Sequence, residues 1–452
     1  MPAAEAQSRA VRHGLAGTGG AWWTSGYSTA TIALAVSMPA SSFRTSLDLL
    51  RSRRFGTFWC ASLLSSIGTW AQQVAQPWLL VSLGASSFVI GLDAFAMSAP
   101  VWLLTLPGGI LADRADRRRV IAGFQSVQML CPIAIVVLLI EGGIRPWIIV
   151  ALSLVVGVTD ALSMPSFSSI VPSIVEPRQV PSALALNSTQ FNISRVAGPA
   201  IAGVLLATAG SLGCFALSAL SYVPFIGIAL WILPRRAPTD PVGPASSNAL
   251  DGIRAMFRDP YLRGALLSTF CAGLLCGPLV TFCPVLVLNV LHGTGAEFSF
   301  AIAAFGVGGV AGAVALLGVD PARDRRWLCV GFGSAYGVMV AVCGLAPSIT
   351  WLPLILALAG VSMSVSNTST NTLLQTTAPG HLRGRTVSIY MLGMRGGLAI
   401  GGLLTGALVA HLGIRTTLLV DGGVAVLAQL LIGWAWLRAV PPNPPAPTPD
   451  PT

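Results

Sequence analysis

The charged residues that interrupt apolar runs are where this chain can do chemistry. Asp93, Asp160, Arg195, Arg395 and Asp421 each fall in a hydrophobic stretch. A charge at the centre of a membrane helix costs about 3 kcal/mol on insertion scales, so such residues serve pairing, proton transfer or ligand contact. Asp160 lies sixteen residues before Glu176 and Arg195 nineteen after it. On two helices joined near Glu176 this is a depth difference of ~4.5 Å at ~1.5 Å per residue. The spacing predicts that Asp160 pairs with Arg195, either as a proton-carrying site or as a fixed tie between helices. Arg395 has no depth-matched acid in its own hairpin, so it can meet an anionic group or backbone carbonyls. Asp93 and Asp421 fall near the outer ends of their runs, where water is close. They are expected at a rim, with Asp93 also placed to admit protons.

Neutral polar residues form a second set. Gln72, Gln73 and Gln76 follow Trp70, and Gln72 and Gln76 lie one turn apart on one helical face. Asn367 and Asn371 sit in a run that also holds Ser362, Ser364 and Ser366, and Asn187 and Asn192 occupy another. None suits a lipid-facing surface. They are expected to line a central cavity or, alternatively, to make polar contacts between helices. The eight cysteines lie in apolar runs with no Cys-x-x-Cys spacing, and the four histidines do not cluster. No metal site, cofactor site or nucleophile–base constellation follows, so enzyme chemistry finds no support. No Walker-type loop is present, which excludes ATP as the direct energy source.

These residues need long apolar elements to hold them. Apolar residues make up 54% of the 452, charged residues 9%, and the mean hydropathy is +0.76. The runs are continuous, not alternating, and about 20 residues or more long, which predicts an all-α membrane protein and excludes a barrel. Twelve spans are expected near 58–83, 89–111, 120–140, 147–170, 182–208, 212–233, 263–291, 298–319, 327–346, 351–375, 386–411 and 415–437. All 26 basic residues are Arg. With the N-terminus inside, 22 lie in cytosolic segments, Arg145 and Arg415 in outer loops, and Arg195 and Arg395 within spans. That asymmetry predicts both termini in the cytosol, and it accounts for the net charge of +10 without nucleic acid.

The organisation reads as an N-terminal cytosolic extension over 1–54, without a clean signal sequence, and a six-helix half over 55–233. A Pro-opened cytosolic linker with an amphipathic stretch covers 234–262, a second six-helix half 263–437, and a Pro-rich tail 438–452. Pro177 and Pro379 precede spans 5 and 11 at an offset of 202 residues. Arg195-Val-Ala-Gly-Pro-Ala-Ile-Ala-Gly echoes Arg395-Gly-Gly-Leu-Ala-Ile-Gly-Gly at an offset of 200. A parallel six-plus-six duplication places any binding site between the halves at mid-depth.

Between spans 2 and 3 lies Gly108-Gly109-Ile-Leu-Ala-Asp113-Arg114-Ala-Asp116-Arg117-Arg118-Arg119, half of it charged. Its form, Gly-x-x-x-Asp-Arg-x-x-Arg-Arg, resembles the loop between helices 2 and 3 of major facilitator superfamily transporters. Further resemblance is carried by Ala183-Leu-Ala-Leu-Asn187, Asn192, Arg195 and Gly198-Pro199-x-x-x-Gly203. It continues in Asn371-Thr-Leu-Leu-Gln375, Leu382-Arg383-Gly384-Arg385 and Ser388-x-Tyr390. The chain is most similar to the enterobactin exporter-like branch, the transmembrane secretion effectors. It departs from many relatives in having Gly68-Thr69 where they carry Gly-Asp. Its second loop copy, Gly318 to Arg326, is degenerate and contains Pro321.

The resemblance implies the major facilitator fold, twelve helices in two pseudo-symmetric halves, in a bacterial plasma membrane. It implies a monomeric secondary active transporter working by alternating access, with proton-coupled export of a hydrophobic or amphiphilic small molecule. The alternatives are uptake by symport and a non-transporting receptor or assembly partner on the same scaffold. It implies that Gly109, Asp113, Arg114, Arg117 and Arg118 form a gate. Asp113 would face the N-terminal end of span 11, whose free N–H groups attract a carboxylate, near Arg383 and Arg385. Plain positive-inside topology explains the arginines well but not Asp113 or Gly109. Gly198, Pro199 and Gly203, with Gly397 and Gly402, are expected to set close helix packing.

Overall fold

The computed structural model describes residues 40–114, 116–168, 170–232, 257–319, 324–377 and 383–438. From Arg44 on, the described residues form one compact unit. The helices are α1 (Ala40–Arg51), α2 (Phe55–Ser82), α3 (Ser87–Ser98), α4 (Pro100–Arg114), α5 (Arg117–Ile140), α6 (Pro146–Ser168), α7 (Ile170–Ile174), α8 (Val180–Thr208) and α9 (Gly210–Ile232). The second half has α10 (Pro260–Cys271), α11 (Pro278–Asn289), α12 (Gly295–Ala315), α13 (Arg326–Gly344), α14 (Leu352–Thr377), α15 (Arg383–Leu412) and α16 (Ile414–Leu437).

Among the described residues, eleven helical segments are long and apolar enough to cross a membrane. The twelfth is α2, which has 28 residues but is diluted by Ser, Thr and three Gln. Span 2 is two helices in series, because Pro100 has no N–H to continue the ladder from α3. Span 7 is likewise α10 and α11 joined by a wide turn over Ala272–Cys276, just before Pro278. The linker's amphipathic stretch, up to residue 256, lies outside the described residues.

Short turns gather at one end of the bundle. Two are nearly single-residue connections, α8 to α9 at Gly210 (φ +64°) and α15 to α16 at Gly413 (φ +77°), which need the left-handed conformation glycine adopts without strain. The apolar core changes character along the helices. Toward the short-turn end one continuous cluster takes residues from both halves, among them Leu80, Phe215, Phe282, Phe298 and Leu356. Toward the other end it divides in two. Phe55, Phe58, Ile121 and Phe225 pack within the first half, and Leu262, Val330, Leu374 and Trp436 within the second. The halves therefore share a core at one end and keep separate cores at the other.

Candidate functional site

The site lies where the shared core gives way to the separate ones. On α6, Asp160 falls between Leu152, which packs on the shared core, and Phe167, which packs on the first-half core. On α15, Arg395 falls between Tyr390 of the second-half core and Val409 of the shared one. The Arg395 guanidinium donates to Asp160 Oδ2 at 2.7 Å, joining the two halves. The side chains keep 33% and 41% of their surface, so the pair is reachable and not sealed. Beside it, Trp102 of α4 lies against Gly396 and donates its ring N–H to the Leu392 carbonyl at 3.3 Å. A side chain at 396 would collide with that ring.

This corrects the expected Asp160–Arg195 pair. Depth along neighbouring helices was matched, but the partner depends on how each helix is turned about its axis, and the cation comes from the opposite half. Arg195 instead points among Trp70, Phe305 and Met363. Its guanidinium carbon is 5.9 Å from the ring centres of Trp70 and Phe305, and one N–H donates to Met363 Sδ at 3.6 Å. Among the described residues, no carboxylate oxygen comes within 4.0 Å of it.

Asp93 and Asp421 are also placed differently from the expectation of a wet rim. Asp93 is buried, accepting from Ser153 Oγ at 2.5 Å and from Gln76 Nε2 at 2.8 Å. Gln76 also donates to Ser153 at 2.7 Å, so one amide knits α2, α3 and α6. Asp421 is buried and accepts from Thr405 at 2.9 Å. Gln72 accepts from Ser218 of α9 at 2.7 Å. Gln72 and Gln76 are thus interior ties of the first half and do not line an open cavity, the alternative that polar residues in a helix also allow.

Gln73 is exposed and Asn187 partly buried. The Asn367 carbonyl accepts from Tyr390 at 3.3 Å, and Asn371 accepts from Gln375 at 2.9 Å. Gly198 lies against Trp70 and 3.1 Å from the Ile67 carbonyl, measured from the position a Cβ would take; Pro199 is buried. On the same measure Gly203 is 2.9 Å from Ser299, Gly397 is 2.5 Å from the Phe270 carbonyl, and Gly402 is 3.2 Å from Ala94. Each marks a close helix crossing. In the loop, the Arg118 N–H donates to Asp116, which caps α5. The side chains of Asp113, Arg114, Arg117, Asn192, Arg383 and Arg385, and the packing of Gly109, lie outside what the structure describes. Sequence reasoning missed Ser153, Trp102 and Gln429; only Gln429, a lone amide in an apolar run, carried a signal.

The sequence profile of the transmembrane secretion effector family matches residues 44–443. The multidrug efflux pump Tap of Mycolicibacterium fortuitum is 25% identical, over 82% of this chain and 92% of its own. The enterobactin exporter EntS of Citrobacter koseri is 26% identical, over 87% and 95%. In fold, a bacterial homologue of the lysosomal transporter Spinster, solved inward-facing and occupied, superposes with a TM-score of 0.68 at 16% identity, covering 91% of this chain and 100% of its own. An all-helical bundle in two halves, a mid-depth charge pair across them and a profile match over nearly the whole length agree: the chain belongs to the transmembrane secretion effector family of major facilitator transporters.

Proposed function

We propose that this transporter exports a hydrophobic or amphiphilic small molecule in exchange for protons, by alternating access. One observation carries the reading: the Asp160–Arg395 pair joins the halves at the depth where their common core divides. Protonation of Asp160 removes one charge and releases Arg395, which loosens the tie between α6 and α15. A proton can bias a two-state equilibrium only if it binds the two states differently, and a contact made across the halves meets that condition. Relatives named as a multidrug efflux pump and an enterobactin exporter support export of a bulky organic cargo.

The arginine asymmetry supports placing both termini, the linker over 234–262 and the separate-core end in the cytosol of a bacterial inner membrane. The conformation is then open to the inside. In the outward-open state Asp113 closes the inner mouth against the N-terminal end of α15, with Arg117 and Arg118 beside it. The transporter works as a monomer, each half serving as the other's partner.

Uptake into inside-out vesicles under an imposed pH gradient tests this. Accumulation that collapses with the gradient, and that D160N loses, is the expected result. Full gradient-driven flux in D160N would falsify Asp160 as the coupling group. No gradient-dependent flux in the wild type would remove proton-coupled export altogether.

A further inference from the structure

Arg195 holds a cation at the seam between the halves with its hydrogen-bonding capacity almost unused. A guanidinium has five N–H donors in a planar fork and stays charged in any protein environment. Here the one described hydrogen bond goes to a thioether sulfur, Met363 Sδ at 3.6 Å, which is a weak acceptor. The other described contacts are ring faces, Trp70 from the first half and Phe305 from the second, both at 5.9 Å. The residue is partly buried.

The neighbouring helices approach Arg195 through glycines. Gly198, one turn on from Arg195, brings α8 close against α2 at Trp70. Gly306 lets α12 approach the Arg195 carbonyl, where a Cβ would stand 3.0 Å away. Gly309, one turn further along α12, faces the guanidinium itself, and the position of its missing Cβ is 4.0 Å from the guanidinium carbon. Arg395, the other arginine within a span, has its carboxylate; Arg195 has aromatic walls and a thioether instead.

We propose that Arg195 is an anion-recognition point in the substrate site, and that the cargo class is an aromatic carboxylate. The carboxylate takes the open N–H fork, which matches it in a two-bonded geometry, and its ring packs between Trp70 and Phe305. Trp70 and Phe305 belong to opposite halves, so such a ligand touches both and its occupancy is felt by the motion between them. The proposal rests on the transport reading for the word substrate, but its binding step is tested without flux.

The test is calorimetric binding of 2-naphthoate and of its neutral analogue 2-naphthamide to the full-length protein in lipid nanodiscs. The wild type binds the anion about tenfold to a hundredfold more tightly than the amide, the range expected for a charge-assisted hydrogen bond. R195Q abolishes that preference, and R195K, a point charge without the fork, keeps part of it. Equal binding of the two probes by the wild type, or an undiminished preference in R195Q, overturns the proposal. If R195Q does not fold, G309L decides, because it retains the arginine and fills the space facing it. There, loss of naphthoate binding supports the site and unchanged binding overturns it. An Arg195-dependent preference in a protein without gradient-driven flux defeats the export reading and leaves this site standing; gradient-driven flux with no anion preference does the reverse.

Discussion

The two halves hold themselves together with the same tie, written in opposite order. In the first half a glutamine on the first helix, Gln72, accepts from Ser218 on the sixth at 2.7 Å. In the second a serine on the first helix, Ser268, donates to Gln429 on the sixth at 2.8 Å, and Gln429 returns a bond to the Ser268 carbonyl at 3.0 Å. The loops that lead into the third span of each half also correspond. Asp116 and Asp324 each accept from the N–H two residues on, at 3.0 Å. Beyond that the loops diverge. Arg326 is buried, grips Asp324 at 2.7 Å and reaches the Trp436 carbonyl at 2.8 Å, whereas Arg119 is 87% exposed and only 4.0 Å from Asp116. The charges at mid-depth differ most. The first half supplies Asp160 and Arg195, the second Arg395, and the pair that forms takes one member from each. Neutral ties can be exchanged within a half, but Asp160 and Arg395 are paired only when the halves meet.

That contrast can be broken where it is strongest. D160N and R395Q should each reduce gradient-driven flux about tenfold or more, since each leaves one member of a mid-membrane pair without its counter-charge. The D160R/R395D exchange should recover part of the flux, measured in inside-out vesicles. If the exchange recovers nothing while D160N alone is silent, the pair is ornamental to coupling.

The loops come next. R326M should lower stability by about 2 kcal/mol, a buried-pair value reduced because Asp324 is partly solvated, while R119A should change it by less than about 0.5 kcal/mol. Thermal unfolding in detergent reads both, and equal shifts would erase the distinction between the loops. Smaller still is the exchange of ties. Q72L and Q429L should each cost about 1 kcal/mol, and the Q72S/S218Q double variant, which gives the first half the second half's order, should cost less than either.

The smallest effect is with pH. Burial of Asp324 raises its carboxyl pKa, but hydrogen bonds from the Arg326 side chain and backbone outweigh that and leave it below the ordinary 3.8. A depressed folded value contributes stability that is complete above 3.8 and lost as pH falls through the folded value. The unfolding temperature of the wild type should therefore fall more steeply below about pH 4 than that of D324N. Parallel acid limbs would show that the loop pair adds nothing.

Much of the fold was legible because its signals are local. Continuous apolar runs, the skew of arginine to one side and the offset of about 200 residues between Arg195 and Arg395 need no neighbour in space. They give the twelve-helix duplication, and the loop motif gives the family. The breaks at Pro100 and before Pro278 were present as prolines but not read as ends of helices.

The site was legible only as a list of residue types. Asp160 and Arg395 stand 235 residues apart, and nothing along the chain records that α6 and α15 turn those faces toward each other. Asp93 was read as wet because it lies near the end of a run; its burial depends on Gln76 and Ser153 arriving from two other helices. The sequence by itself determined that this chain crosses a membrane in two matched blocks with a few charges left inside. Only tertiary structure decided which charge meets which, because hydropathy is a property of position along one helix, whereas pairing depends on the rotation and crossing of two.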